Sequence, residues 1–316
     1  IYKIKMKALL FPGQGSQIVG MGKDIFNNFD LVKKTFNEAD EKLNYKLSKI
    51  ILEGPENELK LTKNTQPAIL TISYSIFKLI NEEFNIQIRD LKYFAGHSLG
   101  EYSALVCSGS LTFFDALYLL HERGKAMQEA VPEGIGSMLA VMGMKVSELE
   151  KFINNLSSDL GVCEIANDNS EGQIILSGNK EAINEIRKIL KIEKKRSILL
   201  PVSAPFHCSL MKPAAEKMNN KIKNTSFNNP KISLVNNVTA KEVNNAEEIQ
   251  NLLVKQIVSK VRWRESVLYM IENGVKKFIE IGPGKVLSGL IKRIDRSAKL
   301  ISINDVDDLD KINLND

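Results

Sequence analysis

Tyr93-Phe94-Ala95-Gly96-His97-Ser98-Leu99-Gly100 decides the fold, because a short apolar run ending in a glycine-flanked serine reads as a strand that turns sharply into a helix. The pattern G-x-S-x-G puts its serine on a strained backbone that lifts the hydroxyl clear of the sheet, where larger flanking side chains would clash. Downstream, Glu101 to Cys107 is a run suited to a helix whose N-terminal dipole would face Ser98 and favour developing negative charge. Taken alone, such a match is also what an ordinary glycine turn looks like.

Two further runs repeat the theme. Ala8-Leu9-Leu10-Phe11 leads into Pro12-Gly13-Gln14-Gly15, and Phe278-Ile279-Glu280-Ile281 leads into Gly282-Pro283-Gly284. Amphipathic stretches lie between: Pro67 reads as a first helical residue, with Ile69, Ile72, Ile76 and Ile80 following at helical spacing. Apolar runs alternating with helical patterns predict an α/β fold with a largely parallel sheet, in which ligands gather at the strand ends.

The middle of the chain reads differently. Gly136 to Gly143 is strand-like, Ser147 with Glu150 resembles a capping box, and Cys163 to Ala166 and Gln173 to Leu176 are two more strands. A lysine-rich helix from about Glu181 to Lys194 and a strand from Ser197 to Val202 complete a β-α-β-β-α-β order, the ferredoxin-like split unit. The expected organisation is a core of residues 1–132 and 202–316 with an inserted subdomain at 133–201. The Asp- and Asn-rich tail after Asn304 reads as a frayed, solvated end.

Composition narrows the classes. With 316 residues, 43% of them hydrophobic and 26% charged, the chain can close a large core unaided. The formal charge of +5 favours acidic or phosphorylated partners without choosing among them. Cys107, Cys163 and Cys208 form no CxxC pair, which points away from a disulfide framework or a zinc site. No run approaches the roughly 18 apolar residues of a membrane span. A start at Ile1 reads as a processed or truncated chain, so the expected compartment is a bacterial-type cytoplasm or, after loss of a targeting segment, an organelle such as a plastid or mitochondrion.

A serine nucleophile needs a base, and the chain has three histidines. His97 sits inside the elbow and would point away from its neighbour. His121 falls in a helical stretch beside Glu122 and Lys125, where a surface role fits. His207 lies in Ser203-Ala204-Pro205-Phe206-His207-Cys208, a loop after a strand, and ranks first. Cys208 reads as a packed cysteine. On the helical wheel from Phe113 to Met127, Arg123 falls at the edge of the apolar face. That position suits a snorkelling arginine or one paired with a core-edge carboxylate; the functional alternative is a bidentate clamp for a substrate carboxylate. Gly13-Gln14-Gly15 lacks the third glycine of a dinucleotide loop, and Gly282-Pro283-Gly284-Lys285 lacks phosphate-loop spacing. Lys255, Lys260, Arg262 and Arg264 read as a solvated face, or as residues that steer an acidic partner.

Phe11-Pro12-Gly13-Gln14-Gly15-Ser16-Gln17, Gly96-His97-Ser98-Leu99-Gly100-Glu101-Tyr102, Arg123-Gly124-Lys125-Ala126-Met127-Gln128, Pro205-Phe206-His207-Cys208 and Ile281-Gly282-Pro283-Gly284-Lys285-Val286-Leu287 together resemble the malonyl-CoA:acyl carrier protein transacylases, in order and spacing from about Ala8 to Ile303. The resemblance implies an α/β-hydrolase-like core carrying a ferredoxin-like insertion. It implies Ser98 as nucleophile, His207 as base, the main-chain carbonyl of Gln256 orienting that histidine, and the N–H groups of Gln14 and Leu99 as the oxyanion hole. Arg123 matches the arginine that pairs with the malonyl carboxylate, reversing the reading from the wheel. Phe206 stands where stand-alone bacterial members often carry serine, while malonyl-selective domains of larger synthases have phenylalanine; its ring would crowd an α-methyl branch. The implied partners are malonyl-CoA and acyl carrier protein, with no metal or redox cofactor. The basic clusters lack the aromatic interleaving of a nucleic-acid site, so no nucleic acid and no membrane are expected as partners, and the expected state is a monomer. A serine hydrolase and an inactive carrier-binding module are the competing functions.

Overall fold

The structure, a computed structural model, describes residues 6–84, 90–202 and 204–312; Ser203 of the histidine loop and the extreme ends of the chain lie outside them. Its strands are β1 (Lys7–Phe11), β2 (Leu91–Gly96), β3 (Gly136–Met142), β4 (Cys163–Ser170), β5 (Gln173–Asn179), β6 (Arg196–Leu199), β7 (Leu234–Val235), β8 (Glu242–Val243), β9 (Lys277–Ile281) and β10 (Lys299–Ile303). They form two sheets among the described residues: a six-stranded one in the order β10-β9-β1-β2-β7-β8 and a four-stranded one in the order β4-β5-β3-β6.

In the larger sheet β10, β9, β1, β2 and β7 run parallel and only the short β8 pairs antiparallel. The residues of β1 explain why it is central. Leu9 and Phe11 pack into the core on one face while Ala8 and Leu10 pack into a second core on the other, as alternation on a strand covered on both sides requires. Because β9, β1 and β2 lie side by side and point the same way, the turns after Phe11, Gly96 and Ile281 emerge along one edge of the sheet. That edge carries the site.

The second sheet is antiparallel throughout. Leu139, Val141, Ile174 and Leu176 face the helices Val146–Asn154 and Lys180–Ile192, whereas Met138, Ala140 and Ile175 on the opposite face join the main core. Strand β4 is also tied by backbone bonds to the segment between the helices Ala246–Val258 and Trp263–Glu272, Val261 N–H to Ala166 O at 2.8 Å and Asp168 N–H to Val261 O at 3.0 Å.

Local details depart from the sequence expectations. Pro67 lies inside the helix Thr62–Lys78 instead of opening it. A proline there frees the carbonyl four residues back, and that carbonyl, of Lys63, accepts a bond from Nδ1 of His121 at 3.2 Å. The half-buried His121 thus repairs a helix rather than facing solvent. The helix expected to open with a Ser147 cap starts at Val146 without a side-chain cap. The tail is not frayed over 306–311, where a 3₁₀ turn buries Leu309, with Ile312 following into the core; residues three apart share a face in so tight a helix.

Candidate active site

The elbow is built by close approach. Gly96 leaves no room for a side chain, since a Cβ there would lie 2.0 Å from the carbonyl of Gly100, and a Cβ on Gly100 would lie 2.2 Å from the carbonyl of Phe11. Between them Ser98 adopts φ +53°, a left-handed conformation costly for a residue with a side chain. Asn237, in the loop after β7, holds it there: its Oδ1 accepts from Ser98 N–H at 2.7 Å, and its Nδ2 donates to Gly96 O at 2.8 Å.

The loop after β6 brings in His207, whose Nε2 lies 2.8 Å from Ser98 Oγ. Its Nδ1 lies 2.9 Å from the main-chain carbonyl of Gln256, near the end of the helix Ala246–Val258. A carbonyl can only accept, so the proton sits on Nδ1 and the lone pair of Nε2 faces the serine hydroxyl. Burial, then the nearby charge of Arg123, push the His207 ring down to about 3, the bond to Gln256 acting in the opposite sense. The imidazole is therefore neutral at ordinary pH and able to take a proton from Ser98.

Arg123, from the helix Phe113–Glu129, is buried. Its guanidinium donates from Nη1 to Gln66 Oε1 at 2.8 Å, and from Nη2 to Gln256 Oε1 at 2.8 Å and to Ser98 Oγ at 3.1 Å. Neither snorkelling nor a direct carboxylate pair describes it: both side-chain partners away from the serine are neutral amides, and among the described residues its Nε is unpartnered. A buried cation held by neutral acceptors beside a serine leaves room for an anionic ligand.

Gln14, Leu99, Arg123, Phe206 and His207 all border one cleft of about 410 Å³. Among the described residues, the N–H groups of Gln14 and Leu99 donate to no other protein group, so they are free to meet an oxygen in the cleft. Phe206, Met138 and Ile175 form an apolar wall. Cys208 is buried away from the cleft, its Sγ 3.1 Å from Pro205 O. His97 does point away from Ser98, its Nε2 2.8 Å from Asn169 Oδ1. The structure thus brings together Ser98, His207, Arg123, Gln256, Gln14, Leu99 and Phe206. Sequence reasoning passed over Gln66, Asn169 and Asn237, for which no local pattern exists, and Glu101, quoted only as part of a run.

A serine on a strand-to-helix elbow, an imidazole lone pair on its hydroxyl and a cleft above parallel strands define the class, an α/β enzyme of acyl transfer. Residues 8–308 match the model of the acyl transferase domain, and the chain belongs to that family. It is 43% identical over 299 residues to a malonyl CoA-acyl carrier protein transacylase of Bacillus subtilis, covering 94% of this chain and 93% of that protein. The acyl-carrier-protein S-malonyltransferase of Bartonella henselae superposes with a TM-score of 0.94 at 40% identity, over 97% of this chain and 98% of the other. A malonyl-transacylase solved in complex with its type II PKS acyl-carrier protein superposes with a TM-score of 0.94 at 40% identity, over 98% and 100% of the two chains.

Proposed function

We infer that this protein transfers the malonyl group of malonyl-CoA to the thiol of an acyl carrier protein. The observation that carries the substrate reading is the buried Arg123 fork, 3.1 Å from Ser98 Oγ. An acyl group on Ser98 would carry its second carboxylate two bonds beyond the ester carbonyl carbon, within reach of that fork. A three-carbon diacid therefore fits where a monoacid leaves the guanidinium unpaired.

The geometry supports a role for each residue. His207 Nε2 takes the proton of Ser98 as its oxygen attacks the thioester carbonyl, and the resulting oxyanion lies against the N–H groups of Gln14 and Leu99. Collapse breaks the C–S bond, and His207 returns its proton to the coenzyme A thiolate. The carrier-protein thiol then gives its proton to His207 and attacks the Ser98 ester; the C–O bond breaks, His207 returns that proton to the Ser98 oxygen, and the malonyl group leaves on the carrier thiol. Gln256, through its carbonyl, orients the base. Each step balances with no metal or redox cofactor. Phe206 narrows the wall where an α-methyl branch would lie, favouring malonyl over methylmalonyl. We read the larger sheet as α/β-hydrolase-like and the β-α-β-β-α-β unit, whose strand order runs fourth-first-third-second, as ferredoxin-like.

Intact mass spectrometry tests the reading. Incubation with malonyl-CoA should add one malonyl group, mapping to Ser98 and absent in Ser98→Ala, and carrier protein should remove it as malonyl-carrier. Release as free malonate at the same rate with and without carrier protein would identify a hydrolase instead.

A further inference from the structure

Glu101 stands three residues after the elbow serine, in the first turn of the helix Gly100–Cys107, and only 2% of it is exposed. Burial raises its carboxyl to about 7, against the pull of the bonds from Asn237 and Gln256 and the charge of Arg123. A carboxyl kept in so unfavourable a place calls for a reason beyond packing.

Two arms of hydrogen bonds meet on its Oε2. The side-chain Nε2 of Gln256 donates to it at 2.9 Å, and the main-chain N–H of Asn237 donates at 3.1 Å. Along the first arm the same Gln256 carboxamide turns its Oε1 to Arg123 Nη2 at 2.8 Å. The amide is thus polarised between a cation and an acidic group. A flip would set its NH₂ against the guanidinium and its oxygen against the carboxylate, so both ends enforce one orientation. Along the second arm Asn237 passes on to Ser98 N–H at 2.7 Å. Gln256 Nε2 also reaches Ser98 O at 3.2 Å.

We propose that Glu101 is a positioning residue for acyl selectivity, holding the Arg123 fork toward Ser98 through the Gln256 carboxamide. It touches no substrate. It acts by fixing where the cation waits, so its removal should harm a ligand bearing a second carboxylate more than one without it. A purely structural carboxyl would, when lost, lower both alike.

The proposal rests on the malonyl-transfer reading, and its test separates the two. Wild type, Glu101→Gln and Glu101→Leu are compared in single-turnover acylation by malonyl-CoA and acetyl-CoA, with thermal unfolding of each variant. Glu101→Gln keeps a carbonyl able to accept both bonds and should retain most of the malonyl-to-acetyl preference. Glu101→Leu should lower that preference roughly tenfold or more, the usual scale for a lost bond to a charged group. A folded Glu101→Leu with an unchanged ratio would overturn the proposal. Should that variant not fold, Gln256→Met decides, because it breaks the link between Glu101 and Arg123 and keeps the carbonyl that holds His207: a lowered malonyl-to-acetyl ratio supports action through the amide, and an unchanged ratio refutes it. Wild type inert toward malonyl-CoA would instead defeat the functional reading itself.

Discussion

Nη2 of Arg123 donates to Oγ of Ser98 across 3.1 Å, so the cation that would receive the substrate's carboxylate rests on the serine itself. Removing one member of a buried ion pair costs about 3–5 kcal/mol, or a rate effect of at least roughly 10²-fold. Arg123→Ala should lose most malonyl transfer while acetyl transfer holds level or rises, since no carboxylate is then needed. Arg123→Lys should recover only part, because an ammonium cannot reproduce two parallel bonds. Steady-state kinetics on both thioesters decide; equal loss of both activities would make the arginine structural.

The depressed His207 ring fixes a pH dependence. With its folded value near 3, set chiefly by burial, the ring stays neutral far below the ordinary histidine range. His207 should therefore impose no acid limb on acylation near pH 6.5, and a limb there that disappears in no other variant would contradict the assignment.

Stability carries the same signature with a definite sign. Between about 6.5 and about 3 the unfolded chain binds a proton at this histidine that the folded chain does not, so His207 lowers stability progressively as pH falls through that window. Glu101 acts in the other direction: its carboxyl, raised to about 7, favours the folded state below about 4.5, a contribution lost as pH rises to about 7. Urea midpoints of His207→Ala and wild type, measured across both windows, isolate the histidine. The variant should show the shallower acid loss.

His207 takes its orientation from a main-chain carbonyl, which survives side-chain substitution. Gln256→Met should leave the pH profile of acylation in place while shifting the malonyl-to-acetyl ratio, whereas His207→Ala should slow acylation by at least roughly 10²-fold. A moved pH profile in Gln256→Met would show that the amide, and not the carbonyl, governs the base.

Gly100→Ala tests the elbow. Its Cβ would fall 2.2 Å from the carbonyl of Phe11, and neither backbone can yield without separating helix from sheet. A loss of about 1–3 kcal/mol or more in chemical unfolding is expected, with acylation falling alongside. A fully stable, active variant would mean the turn is looser than described.

Arg264, a residue of the basic run, is committed elsewhere: its Nε and Nη2 bond both oxygens of the buried Asp168 at 2.8–3.1 Å, and Arg262 pairs with Glu265. Arg264→Ala should therefore cost stability, toward the lower end of about 3–5 kcal/mol because the guanidinium is partly exposed. Carrier-protein association that loses its salt dependence in this variant, with stability unchanged, would return it to a steering role.

What the sequence by itself determined was whatever depends on neighbours along the chain. Apolar runs ending in glycine marked β1, β2 and β9, the elbow fixed the serine on a tight turn, and the β-α-β-β-α-β order of the second sheet was legible, because strand periodicity and steric demands at glycine are local. The motifs also carried the family likeness, and with it the pairing of Ser98, His207 and Arg123. Tertiary structure alone decided the interior of the site. Gln66 and Gln256 project from the helices Thr62–Lys78 and Ala246–Val258, while Glu101 and Asn237 follow the parallel strands β2 and β7, and only the fold brings the four side chains together beside Arg123 and Ser98. The helical wheel placed Arg123 at an apolar margin but could not say whether water, a carboxylate or amides would surround it. Likewise the role of His121 depends on Pro67, more than fifty residues earlier in the chain. A buried polar group must find its partners wherever the fold supplies them, and that demand for satisfaction across distance leaves no periodic trace along the chain.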